Sequence, residues 1–115
     1  MKSVRFALGM ALVALSGTPA FADACREAFE AQAEPIVARK CIACHSNANS
    51  QGGLSLQRGS GYDLLVNVAS TGVPEMPRVT PGDSQSSYLV HKLLGTHSDL
   101  GGSGTSMPPA GLPAA

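Results

Sequence analysis

Cys41-Ile42-Ala43-Cys44-His45 limits what this chain can fold into more than any other stretch. Two thiols three positions apart, followed at once by an imidazole, form the attachment signature for covalently held haem c. On one helical turn the side chains at i and i+3 share a face, so Cys41 and Cys44 can both reach the two vinyl groups on one porphyrin edge. His45 then lies beside the ring and can offer an imidazole nitrogen to the iron. A chain carrying this motif has to close around a large, flat cofactor.

Two other uses of a Cys-x-x-Cys compete with that reading. A structural zinc site needs four nitrogen or sulfur ligands, usually with a second pair at short spacing. Cys25, His91 and His97 form no such pair. A dithiol redox motif sits where a strand runs into a helix, and no strand pattern precedes Cys41.

The composition agrees with a cofactor in the core. The chain has no Trp, three Phe and two Tyr. A domain this small buries a limited core and often needs a staple. A porphyrin would supply the flat apolar body that the side chains do not.

The first 22 residues read as a signal peptide. Lys2 and Arg5 give a positive start, Phe6 to Leu15 an apolar stretch, and Ala20-Phe21-Ala22 a small-residue cleavage site. The apolar stretch is shorter than the roughly 20 residues a membrane span requires. Cleavage after Ala22 leaves a domain of residues 23–115, expected to be exported to the periplasm without a transmembrane segment. Loss of Lys2 and Arg5 leaves six basic against eight acidic residues, a formal charge of −2. Nucleic-acid binding would want a clustered basic face, so no such partner is expected.

The expected class is all-α, with short helices and long loops. Ala24 to His45 reads as helix in two pieces, the second starting at Glu34 with Pro35 in its first turn. Residues 46–60 are rich in Ser, Asn, Gln and Gly and read as loop. A short helix is expected over Gly61–Ala69, and a proline-bearing loop over Ser70–Gly82. Asp83 is expected to cap a helix running to Leu94, with Gly95 as its terminator. From Thr96 onwards there is no periodicity.

A six-coordinate iron needs a ligand opposite His45. Met107 is favoured: it follows the flexible Gly101-Gly102-Ser103-Gly104 and precedes Pro108-Pro109, which hold the backbone extended. A thioether opposite His raises the iron's reduction potential, because a soft neutral donor favours the ferrous state. Met76 is the rival, in the similar Val73-Pro74-Glu75-Met76-Pro77. Either methionine could instead fill a core gap. His91 and His97 could also ligate, although His91 lies mid-helix beside Lys92 and reads as a surface residue.

In these elements the chain resembles small bacterial monohaem c-type cytochromes of class I, especially the planctomycete-type cytochrome c domains. The resemblance runs through Glu34-Pro35-Ile36, the Cys41–His45 motif, and Gly52-Gly53-Leu54-Ser55-Leu56. It continues through Arg78-Val79-Thr80-Pro81-Gly82-Asp83, Ser87-Tyr88-Leu89-Val90 and Met107-Pro108-Pro109. It implies one haem wrapped by short helices, His45 and Met107 as axial ligands, and Arg78 to Asp83 along the haem edge. Such domains usually continue past Met-Pro-Pro into a C-terminal helix, which Gly111-Leu112-Pro113-Ala114-Ala115 cannot form. A C-terminal helix is therefore expected to be missing, through truncation or because another chain supplies the packing. Cys25 is left over and reads as inert.

The expected function is one-electron transfer between redox protein partners, not enzymatic catalysis. No acid–base pair, nucleophile constellation or phosphate loop is evident in the sequence. The alternative is a haem c subunit or sensor domain of a larger oxidoreductase, completed by a partner chain.

Overall fold

Pro35 sets the shape of the N-terminal half. A computed structural model describes residues 19–111 and begins with helix α1, Pro19–Ala28. A π-helical turn, Phe29–Ala33, links α1 directly to α2, Glu34–Lys40. Proline has no N–H to offer the preceding turn. The helix widens just before it, and the Glu34 amide donates to the Phe29 carbonyl instead. The two expected pieces are thus one continuous rod with a bulge. The expected signal peptide lies mostly outside the described residues, and its junction after Ala22 falls within α1. No described helix is long and apolar enough to cross a membrane.

The rod ends at Lys40, earlier than expected. Cys41 to His45 form a separate turn, closed by the Cys44 and His45 amides on the Cys41 carbonyl at 3.2 and 3.0 Å. The turn keeps Cys41 and Cys44 on one side of the chain while freeing His45 to bond elsewhere.

Helix α3, Gly61–Leu65, is also shorter than expected. Beyond it Val66 is extended and Asn67 turns with a positive φ of 58°, because Val66 pairs with Val79 and Ala69 with Pro77 as isolated bridges. Tertiary pairing there outweighs the helical spacing of the apolar residues. Helix α4 is Tyr88–Leu94 with Ser87 at its N-cap, four residues later than a cap at Asp83 predicts. The Asp83 Oδ1 accepts from the Gln85 and Ser86 amides, both at 3.1 Å, and Oδ2 accepts from the Ser86 hydroxyl at 2.6 Å. Its carboxylate therefore closes a turn rather than a helix end. Gly95 ends α4 as expected, in the left-handed conformation with φ 76°. Single 3₁₀ turns at Gln51–Gly53 and His97–Leu100 are the remaining helical elements. No strand occurs among the described residues, so the class is all-α.

Two contacts fasten the rod to the rest. Arg26 pairs with Asp63 and lies 4.5 Å over the Tyr62 ring, which Phe29 meets edge-on at 5.7 Å. The Arg26 guanidinium holds the Asp63 carboxyl below its usual range. That stabilisation is present above the ordinary carboxylate range and fades as pH falls through the lowered value. Both groups are solvent-exposed, so salt screens the pair. Deeper in, Glu34 is buried and its Oε1 accepts the Gly59 amide at 2.8 Å.

The core is small. Its buried apolar side chains among the described residues are Leu56, Leu65 and Tyr88, at 4, 2 and 8% exposure. All three also line one cavity. The apolar core and the cavity wall are therefore one structure.

Candidate functional site

The cavity holds about 360 Å³, within the roughly 300–1,000 Å³ typical of ligand sites. Its lining includes Cys41 and His45, and the loop after α4 adds Met107. Leu54, Leu56, Leu65, Leu89 and Leu93 supply the apolar lining, with Arg78 and Lys92 as its cations. A smaller cleft shares Cys41, His45 and Met107 and adds Cys44, Lys40, Pro108 and Pro109. Cys41, Cys44, His45 and Met107 therefore converge, and both motif thiols are unpaired. Burial pushes the Cys41 thiol up from its usual value.

His45 is held on three sides. Its amide donates to the Cys41 carbonyl at 3.0 Å, and its carbonyl accepts the Leu56 amide at 2.7 Å. Its ring Nδ1 lies 3.1 Å from the Leu54 carbonyl. A carbonyl can only accept, so Nδ1 carries the hydrogen and Nε2 keeps its lone pair. An imidazole tied back through one nitrogen to a carbonyl is the arrangement that orients the other as a metal ligand. The Leu54 carbonyl is itself positioned by local turns. Gln51 donates from its amide to the Cys44 carbonyl at 3.1 Å, and the Ser55 hydroxyl donates to Asn47 Oδ1 at 2.6 Å.

The other candidate ligands fall elsewhere. Met76 does not line the cavity; its amide donates to the Val73 carbonyl at 2.9 Å within its own turn. His91 is half-buried rather than free on the surface, and both its ring nitrogens are engaged. Nε2 donates to the Gln85 carbonyl at 2.8 Å, and Nδ1 accepts from the Thr96 hydroxyl at 2.8 Å. His97 is buried and its Nε2 donates to the Gly104 carbonyl at 2.8 Å. Cys25 lies exposed on α1.

Arg78 lies at the cavity rim, its guanidinium donating to the Leu64 carbonyl at 2.8 Å and more weakly to the Gly53 carbonyl at 3.4 Å. Lys92 crosses from α4 to the Met107 loop, donating to the Ser103 and Thr105 carbonyls at 3.1 and 2.5 Å. Burial lowers its ammonium from the usual value. This part of the site escapes sequence reasoning. Lys92 looks like any charge on an exposed helix face, and His97 like any loop histidine.

Tyr88 closes the cavity between two glycines. A Cβ at Gly72 or at Gly102 would overlap the Tyr88 hydroxyl, and at Gly102 it would also come within 2.8 Å of the His97 carbonyl. That second contact is backbone and cannot swing aside. Gly102→Ala should therefore cost about 1–3 kcal/mol through overpacking. In a domain of this size that lowers the thermal midpoint by about 4–8 °C per kcal/mol. A calorimetric midpoint equal to the parent's would refute the crowding.

The residues present fit a porphyrin on three counts. The thiols are free, one imidazole is fixed with an open nitrogen, and each buried apolar side chain among the described residues lines the same space. No curated protein and no solved structure matches the chain. The sequence profile of the Planctomycete cytochrome C family matches residues 41–111, which runs from the first motif thiol past the Met107 loop. With that match covering most of the chain, the protein belongs to the Planctomycete cytochrome C family of haem-binding electron carriers.

Proposed function

We propose that the protein is a periplasmic one-electron carrier with one haem c per chain, passing electrons between redox protein partners. In this reading Cys41 and Cys44 form the thioethers, and His45 and Met107 are the axial ligands. The observation that carries it is the His45 ring, tied through Nδ1 to the Leu54 carbonyl within a cavity it shares with Cys41 and Met107.

The haem, when bound, supplies the reversible one-electron couple. The chain's residues supply the rest. The Leu54 bond keeps the His45 Nε2 lone pair available and the ring from rotating. Met107 offers a soft, neutral sulfur, which favours the lower charge state of iron and so a higher potential. The leucine lining excludes water, which also disfavours the more highly charged state. Arg78 and Lys92 are the cavity's cationic groups and the natural counterparts of anionic propionates.

With His45 and Met107 both holding the iron, no position would be left open to a peroxide or other substrate, which would suit electron transfer. The test is the ferric spectrum of protein made in a host competent in cytochrome maturation. A low-spin, six-coordinate spectrum with a far-red sulfur-to-iron band is expected at neutral pH. A high-spin, five-coordinate spectrum would refute simple electron transfer. Elution as a stable, reducible monomer separates this carrier from a subunit completed by a partner chain.

A further inference from the structure

The loop that carries Met107 has no secondary structure of its own. Gly101 and Gly104 both hold positive φ, at 83° and 79°, and Ser103, Gly104 and Thr105 are exposed. A glycine-rich segment in water does not hold one conformation without outside help. Here that help comes from two side chains. The carbonyls of Ser103, Gly104 and Thr105 are consecutive acceptors, taken by Lys92, His97 and Lys92 in turn. The Met107 amide then donates back to the Lys92 carbonyl at 2.8 Å. Lys92 thus grips the strap from both directions.

His97 adds an independent observation. It is 4% exposed, and its Nδ1 is buried without a hydrogen-bond partner. Leaving a buried polar atom unpaired is unfavourable, and an apolar side chain would avoid that loss. What the imidazole provides in return is its single Nε2–H bond to the Gly104 carbonyl.

We propose that Lys92 and His97 are positioning residues that hold the Ser103–Met107 strap on α4 and so set how firmly the Met107 thioether is kept at the cavity. The inference rests on Met107 being an axial ligand. A loosened strap lets the sulfur leave the iron more readily, and an added ligand then competes for the vacated position. Potential and ligand exchange, rather than haem attachment, should respond.

The test titrates ferric holoprotein with imidazole while following the far-red band. His97→Phe, which loses one hydrogen bond, should bind imidazole about tenfold more tightly than the parent, and Lys92→Met, which loses two, at least as tightly as that. Lys92→Arg and His97→Gln keep a donor and should lie closer to the parent. Glu34→Ala is the stability control: it removes the acceptor of the Gly59 amide, away from the strap. It should lower the thermal midpoint without changing imidazole affinity. The proposal is overturned if Lys92→Met and His97→Phe bind imidazole like the parent, or if Glu34→Ala tightens binding as much as they do. Should the Lys92→Met chain fail to fold, the His97→Phe and His97→Gln pair decides the question by the same criterion. Met107→Ala separates the two readings. If it keeps the far-red band, the ligand assignment fails. If it loses the band while the strap variants match the parent, only the positioning role fails.

Discussion

Cys41→Ser combined with Cys44→Ser should abolish covalent haem attachment entirely. The measurement is the intact mass after acid denaturation, which should fall to that of the polypeptide alone. Either single variant retains one thioether and should still carry some haem. Cys25→Ser should match the parent, because Cys25 lies exposed on α1, away from both clefts. The effect should extend to folding. Leu56, Leu65 and Tyr88, the buried apolar side chains of the described residues, all line the cavity. A domain whose core doubles as its cofactor wall has little to hold it together when the cofactor can leave. Near-ultraviolet dichroism of the double variant should therefore lose most of its fine structure. A double variant that keeps haem through denaturation would refute thioether attachment at these two positions.

Met107→Ala carries the second large effect. The variant should lose the far-red sulfur-to-iron band, and its reduction potential should drop by a sizeable part of the roughly 0.8 V range that axial ligands span. The direction follows from donor softness: removing a neutral sulfur removes a preference for ferrous iron. Haem attachment should survive, since Cys41 and Cys44 remain. Met76→Ala should leave both band and potential unchanged, because Met76 does not line the cavity. Spectroelectrochemical titration of the two variants side by side is the check. Loss of the band in Met76→Ala, with its retention in Met107→Ala, would reverse the assignment.

The two sulfur candidates mark where local reasoning stops. Val73-Pro74-Glu75-Met76-Pro77 and Thr105-Ser106-Met107-Pro108-Pro109 share the same local grammar. The preceding glycines and the doubled proline favour Met107, but they do not by themselves bring it to the cavity that holds His45. That depends on α4 carrying Lys92 to the Met107 strap, with the Lys92 carbonyl accepting the Met107 amide. Asp83 is a different kind of case. The carboxylate can cap a helix or close an Asx-type turn with similar local geometry, and the turn wins because Ser86 offers both its amide and its hydroxyl. Helix α3 ends early because Val66 finds Val79 across the chain, a pairing that apolar periodicity cannot anticipate.

Features that act over one or two turns are legible in the residues alone. The Cys41–His45 motif is such a feature, since two thiols and an imidazole on one turn suffice to hold a porphyrin edge and its metal. The Pro35 entry into α2 and the Gly95 exit from α4 are others, each set by one residue's backbone. Only the folded chain brings the favoured Met107 into the cavity with His45, buries His97 beneath the strap and sets Tyr88 between Gly72 and Gly102. The physical reason is range. Proline and glycine preferences and i, i+3 spacing act between neighbours, whereas a hydrogen bond from α4 to a distant loop exists only once the intervening chain has folded back.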